Sequence, residues 1–327
     1  MTGLDPIQLS EPPSAEIARR LDAADPLAGW RAQFALPPGI YFCGHSLGPA
    51  PRAAIARVER ELDDWQRLGV AGHFAAHTPW ARYAESLAEP LAALVGAEPQ
   101  EVVAMNGLTV NLHLLLGSFY RPSGARRKIL IEEGAFSSDR HALENTLRRH
   151  GLDPQQDLLE LAPRDGEECL RAEDIEAAIE RAGHTLALVW WPGVQYRTGQ
   201  AFDCRAIARS AHRVGALAGF DHAHAIGNVP LALHDDDADF AVWCSYKFLN
   251  AGPGAIAGAF VHARHGTDPV RLRPGGWWGH EAATRFAMEP GFRPEAGAAG
   301  WAVSNPPVLS AAPLAASLEI FARAGMA

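Results

Sequence analysis

The stretch "WCSYKFLNAGPGAIAG", residues 243–258, contains Lys247, one of only two lysines in a chain whose lysines and arginines total 29. The other, Lys128, follows Arg126 and Arg127 before an apolar run and reads as solvated charge. Arginine keeps its proton and is no nucleophile, whereas a lysine amine can lose its proton and condense with a carbonyl to a Schiff base. A lysine set between aromatics beside a glycine-rich turn is therefore a candidate for covalent carbonyl chemistry. The competing reading is solubilising charge at a strand end. The neighbourhood decides between them.

Asp221 closes the run "GALAGF" 26 residues earlier and is followed by His222, Ala223 and His224. Ser245 and Tyr246 directly precede the lysine; Phe136, Ser137, Ser138 and Asp139 follow "KILIEEGA"; Gly107, Leu108 and Thr109 follow "EVVAMN", where a helix begins. An amine, an acid, an aromatic ring and a helix N-terminus with a hydroxyl are what pyridoxal phosphate asks for. Its aldehyde condenses with a lysine, and its ring nitrogen needs a carboxylate to stay protonated. Its phosphate suits helix N-terminal N–H groups, and its flat ring suits an aromatic face. The residues thus suggest Lys247 for the aldehyde, Asp221 for the ring nitrogen, Leu108 and Thr109 for the phosphate and Phe136 for stacking. His224 is expected to contact the cofactor, while His222 packs or faces solvent. A strand-ending Asp taken alone is more often a turn residue; the combination and its order carry the reading.

These residues need a scaffold that brings strand ends together. "KILIEE", "TLALVWWP", "GALAGFD", "DFAVWCS" and "AIAGAFV" are short, apolar and bounded by turn residues, as buried strands are. Helical patterns such as "AEDIEAAIERAG" and "DCRAIARSAHRVG" separate several of them. Upstream, "PRAAIARVERELDDWQRLG" reads as a helix opened by Pro51, and "WARYAESLAEPLAALVGA" as one kinked at Pro90. The alternation predicts an α/β fold with a mainly parallel sheet covered on both faces, whose ligands bind at the carboxyl ends of the strands. The Pro- and Gly-rich residues 273–307 read as ordered loops, because Trp277, Trp278 and Trp301 are costly to leave in water.

Rival motifs fail on context. "GHSLG", residues 44–48, has the G-x-S-x-G spacing of a hydrolase nucleophile elbow, but only 43 residues precede it, no oxyanion loop lies upstream, and Pro49 and Pro51 follow at once. "DHAHAIG" has two histidines without the further ligands a metal needs, so no metal is expected. The glycines of "GPGAIAG" lack the strand–helix context of a dinucleotide fingerprint. Net charge is −9, and no Lys/Arg cluster points to nucleic acid. No apolar run approaches membrane-spanning length, and "MTGLDPIQLSEPPSAEIARR" lacks signal-peptide character. Cys43, Cys169, Cys204 and Cys244 form no CxxC pair and fit reduced thiols in a cytoplasmic protein.

"YFCGHSLGPAP", "MNGLTVNLHLLL", "FSSDRHA", "YRTGQAFD", "FDHAHAIGNVPLALHDDDADFAVWCSYKFLNAGPGAIAGAFVH", "GGWWGH" and "SNPPVL" resemble the kynureninases, in order, from about Ile40 to the chain end. The resemblance implies a homodimeric fold-type I pyridoxal-phosphate enzyme of tryptophan catabolism and NAD biosynthesis. Such enzymes hydrolyse kynurenine or 3-hydroxykynurenine to L-alanine and anthranilate or 3-hydroxyanthranilate. It implies Lys247 as the Schiff-base lysine, Asp221 as the ring-nitrogen partner with His224 beside it, and Leu108, Thr109 and Tyr246 around the phosphate. Phe136 and Asp139 would hold the ring, with Trp277 and Asn305 completing the site across the dimer interface. Ser46 and His73 would lie near the substrate, so "GHSLG" becomes a substrate-side loop.

Residues 1–40 then correspond to an N-terminal arm, 41–308 to the cofactor-binding large domain and 309–327 to the start of a C-terminal small domain. Two departures stand out. Pro192 replaces a small polar residue found near the cofactor in some relatives. The chain also stops at "SLEIFARAGMA", before most of the small domain and its carboxylate-binding arginine, which leads to the expectation of weak turnover and an uncovered apolar face on the last helix. The alternatives are another fold-type I enzyme, such as a desulfurase or aminotransferase, and a cofactor-binding but catalytically dead chain. A desulfurase needs a further catalytic cysteine, and none follows Cys244.

Overall fold

The computed structural model describes residues 14–326. The first thirteen residues of the expected N-terminal arm, with most of the stretch read for a signal peptide, lie outside the described residues. Two short strands, β1 (Phe34–Ala35) and β2 (Ala50–Pro51), pair antiparallel near the start. The main sheet contains β3 (Val102–Ala104), β4 (Lys128–Glu132), β5 (Leu158–Leu161), β6 (Leu186–Pro192), β7 (Leu217–Asp221), β8 (Phe240–Trp243) and β9 (Gly258–Val261). Their spatial order is β3-β9-β8-β7-β6-β4-β5. β9 is antiparallel to both neighbours; the remaining pairs are parallel.

The continuous apolar runs follow from burial on both faces. Along β6, Val189 and Trp191 enter one core, with Phe220 and Trp243, while Leu188 and Trp190 enter the other, with Ile129, Ile131 and Val242. Fully burying a side chain such as Phe220 stabilises the fold by roughly 1.5–3 kcal/mol. Gly219 is fixed by this packing: a Cβ there would lie 2.5 Å from the Phe240 ring and 2.8 Å from the Trp190 ring. Helices cover both faces. Cys204–Arg213 begins where the Asp203 carboxylate accepts from the Ala206 N–H at 2.9 Å. Ala172–Ala182 ends at Gly183, whose φ of +50° suits glycine.

The five strands read from the sequence are present. β5, "LLEL", was not anticipated, since Glu160 breaks its apolar pattern; its side chain pairs outward with Arg140. The helix expected from Trp80 is split into a 3₁₀ turn, Trp80–Arg82, and a helix proper, Glu85–Val95, that contains Pro90. The last helix, Val308–Ala324, departs from the expectation of an uncovered face. Leu314, Leu318 and Ile320 are buried in it, and Arg57 on Arg52–Leu68 pairs with Glu319 at 2.5 Å. Its apolar stripe is covered because it packs against that helix and the main core. Trp278 and Trp301 are buried as expected, but Trp277 is 43% exposed, its indole N–H donating to the Arg285 carbonyl at 3.0 Å. Among the described residues no helix is long and apolar enough to cross a membrane.

Candidate active site

The carboxyl ends of β4, β6, β7 and β8 and the segment after β3 open onto one cleft. It is lined by Leu108, Thr109, Phe136, Asp139, Asp221, His224, Tyr246 and Lys247. Eight of the residues singled out in the sequence therefore meet in one place. Lys247 is 9% exposed, with its Nζ 3.2 Å from His224 Nε2 and 5.6 Å from the centroid of the Phe136 ring. Phe136 is held edge-on against Tyr196, ring centroids 5.4 Å apart. The turn carrying the lysine is pinned from behind: the Gly48 N–H donates to the Tyr246 carbonyl at 2.8 Å. A Cβ on Gly48 would stand 2.2 Å from the Lys247 carbonyl, so only glycine allows this approach. The "GHSLG" loop thus abuts the catalytic turn, and its His45 backbone meets His224. Ser46 itself is exposed and does not line the cleft.

Two carboxyl groups form the floor. Asp221 Oδ1 accepts from the Ala223 N–H at 2.7 Å, and Asp139 Oδ2 accepts from the Trp190 indole N–H at 2.9 Å. Asp139 Oδ1 is buried without a hydrogen-bond partner. Burial raises the pKa of both acids, that of Asp139 further through the charge of Asp221. Such a floor calls for a cationic N–H donor, which the protonated ring nitrogen of pyridoxal phosphate is. At the other end, the helix Leu108–Phe119 presents its first N–H groups with no capping side chain at Gly107. Asn106, at φ +47°, makes the turn into it, with its amide donating to Asn111 Oδ1 at 2.9 Å. Burial pushes the Tyr246 hydroxyl up to about 12, so it stays a donor. The donor set fits the cofactor.

Pro192, singled out as a departure from some relatives, also lines the cleft, as do Glu132, Trp190 and Tyr196, which were not assigned from the sequence. Glu132 ends β4 as Asp221 ends β7, and the same strand-end logic applied to "KILIEE" finds it. It is 3% exposed, accepts from Gln195 Nε2 at 3.3 Å, and burial raises its carboxyl to about 7. His73 and Asn305 share a separate concavity with Glu61, Trp65 and Trp80, and Trp277 faces a third with His280 and Phe292.

His222 packs rather than facing solvent. It is fully buried, stacked on Phe220 at 5.8 Å, and neither ring nitrogen has a partner. Burial lowers its pKa to about 3. The folded value lies below the unfolded one, so the neutral ring's contribution is present above pH ~6.5 and is lost as pH falls toward about 3. This group is expected to remove roughly 2 kcal/mol of stability between pH ~7 and pH ~5. Urea unfolding at the two pH values checks it: His222→Asn should flatten that difference, whatever it does to stability at neutral pH. An unchanged slope would exclude His222 as the source.

Fold and cleft together define a pyridoxal-phosphate enzyme of the aminotransferase class-V type, and that family's description, "Aminotransferase class-V", matches residues 40–283. The chain is 57% identical over 323 residues to the kynureninase of Xanthomonas campestris pv. campestris (strain B100), covering 97% of this chain and 76% of that one. It is 54% identical over 320 residues to the kynureninase of Myxococcus xanthus (strain DK1622), covering 96% and 75%. The chain belongs to the aminotransferase class-V family and, within it, to the kynureninases. Solved structures with the same fold include a cystine C–S lyase in complex with cysteine persulfide, at TM-score 0.74, 18% identity and 88% and 72% coverage. Another is the apo cysteine desulfurase of Thermococcus onnurineus NA1, at TM-score 0.69, 18% identity and 97% and 72% coverage.

Proposed function

We propose that this chain uses pyridoxal phosphate to hydrolyse kynurenine, releasing L-alanine and anthranilate. The observation that carries the reading is the convergence of Lys247, Asp221 and Phe136 in one cleft of a chain 57% identical to a kynureninase. When bound, the cofactor supplies an electron sink for charge developing at the substrate α-carbon. Lys247 Nζ would hold the cofactor's aldehyde and would serve as the base for the substrate α-proton. Asp221 would keep the ring nitrogen protonated, with Asp139 supporting it from beside the Trp190 indole. The N–H groups of Leu108 and Thr109 and the Tyr246 hydroxyl would hold the phosphate, and Phe136 would cover the ring. His224, lowered to about 4 by burial and then by Lys247, is a neutral neighbour of the amine and adds no competing positive charge. Ser46, expected near the substrate, is exposed on the loop behind the lysine and lies outside the cleft of its own chain.

The same reading makes the enzyme a homodimer with a shared site. Ile55, Leu62 and Trp65 lie exposed along one helix, and Phe74 and Leu309 are exposed nearby, an apolar face suited to cover by a second copy. Trp277, Asn305 and His73, outside the cleft of their own chain, then reach the cleft of the partner. Mixing two inactive variants tests function and assembly together. Lys247→Ala and the double variant Trp277→Ala/Asn305→Ala are each expected to release little anthranilate from kynurenine. Refolded as an equal mixture, they should recover about a quarter of wild-type activity, because half the dimers carry one intact site. No recovery would overturn the shared site; no anthranilate from the wild-type chain would overturn the activity itself.

A further inference from the structure

Glu101, His234 and His262 form a second cluster of chemically capable side chains, at the opposite edge of the sheet from the cleft. Glu101 directly precedes β3, which runs in the same direction as β8, and His262 follows the antiparallel β9, so both lie where the parallel strands begin. His234 sits in the loop between β7 and β8. One potential ligand atom from each residue lies within 4.8 Å of the others. His234 Nδ1 is 2.9 Å from Glu101 Oε1 and 3.0 Å from Oε2, and His262 Nδ1 is 3.6 Å from Oε1. Ligands of a tetrahedral zinc ion with bonds near 2.0–2.1 Å stand about 3.3 Å apart, so little movement is needed to admit one.

Two further observations favour a cation. Glu101 is fully buried, and a buried carboxylate needs a compensating charge. Its orientation is already fixed by backbone donors, with the Ala263 N–H at 2.7 Å from Oε1 and the Glu98 N–H at 2.9 Å from Oε2. Such outer bonds are how proteins aim metal-binding carboxylates. His262 Nδ1 accepts from the Arg264 N–H at 3.3 Å, a long cap bond that the ion would replace, and its Nε2 faces Asp237 Oδ1 at 3.8 Å, an acceptor for the outer ring N–H. The two rings stack at 4.9 Å, both Nδ1 atoms near the same carboxylate.

We propose that Glu101, His234 and His262 bind one divalent transition-metal ion, Zn²⁺ or a similar borderline cation, with water filling the open side beside the part-exposed His234. Two imidazoles and one carboxylate are a donor set suited to such ions rather than to Mg²⁺ or Ca²⁺. The site is structural, tying the segment before β3 to the ends of two neighbouring connections, and stands apart from kynurenine hydrolysis.

The test uses the full chain, tag-free and loaded with pyridoxal phosphate, stripped with chelator and titrated with Co²⁺ followed by visible absorption and with Zn²⁺ followed by calorimetry. One saturable ion per chain is expected. His234→Ala and His262→Ala should each weaken binding by about tenfold or more, while Lys247→Ala leaves it intact. His234, whose side chain is 40% exposed, is the safer variant, since truncating buried Glu101 endangers the fold. Kynurenine turnover of His234→Ala should stay at the wild-type level. Absence of saturable binding, meaning that the protonated His234 alone serves Glu101 as an ion pair, overturns the site. Binding that survives both histidine variants overturns it equally.

Discussion

Replacing Lys247 with arginine is expected to abolish kynurenine hydrolysis, lowering turnover on the order of 10⁴-fold or more, although charge and approximate length are kept. The guanidinium stays protonated, so it can neither hold the cofactor's aldehyde nor accept the substrate α-proton. The surroundings make the exchange worse than a simple loss. Lys247 is 9% exposed and ends against His224, and a planar fork cannot stand 3.2 Å from that imidazole without displacing it or the Phe136 ring. The variant should therefore also lose the cofactor on gel filtration, where wild type keeps it. Borohydride reduction of the wild-type enzyme followed by peptide mapping gives an independent reading: the pyridoxyl label belongs on the peptide containing Lys247. Label on Lys128, or residual turnover within tenfold of wild type, would remove Lys247 from its role.

Lys247 and Asp221 were legible in the sequence for a physical reason. In a parallel sheet every strand ends on the same edge, so locating strand ends from apolar runs also locates the residues that meet there. Phe136, Asp139, Leu108 and Thr109 came from the same logic, and all line the cleft. Glu132 escaped although it ends β4 in the same way, because the run was carried on through "KILIEEGA" and only the residues after it were considered. His222 and His224 are two residues apart on one turn yet differ completely in environment, one fully buried and unpartnered, the other against the lysine. The sequence reading separated the two, with His224 toward the cofactor, but left open whether His222 packs or faces solvent. The cluster of Glu101, His234 and His262 was invisible because its members are 133 and 161 positions apart and converge only through the antiparallel β9. Trp277 and Asn305 mark another limit: in the chain by itself they lie in concavities apart from the cleft, and only the proposed shared site would bring them to it.

Asp221→Asn is expected to lower turnover by roughly 10²–10³-fold, the usual loss when a preorganised charge is removed from a developing one, while leaving the fold and much of the bound cofactor in place. The amide keeps the shape, and its oxygen can still accept from the Ala223 N–H that holds Asp221 at 2.7 Å. It cannot keep a proton on the ring nitrogen, because a neutral amide gives no electrostatic reason for that proton to stay. Asp139 is the control that separates a ring-nitrogen partner from a merely acidic floor. Both carboxyls are raised by burial, but Asp221 closes β7 with its orientation set by the backbone, whereas Asp139 answers to Trp190 and has one oxygen free. If Asp221 is the partner, it must be the ionised member of the pair, and Asp139→Asn should cost much less, because an amide there still receives the indole N–H. Exchange of the substrate α-proton with solvent, measured without hydrolysis, reads the step that depends on ring protonation. A large fall for Asp221→Asn and a small one for Asp139→Asn is the expected order. Equal losses would mean that the two acids hold the charge jointly, and the reverse order would transfer the role to Asp139.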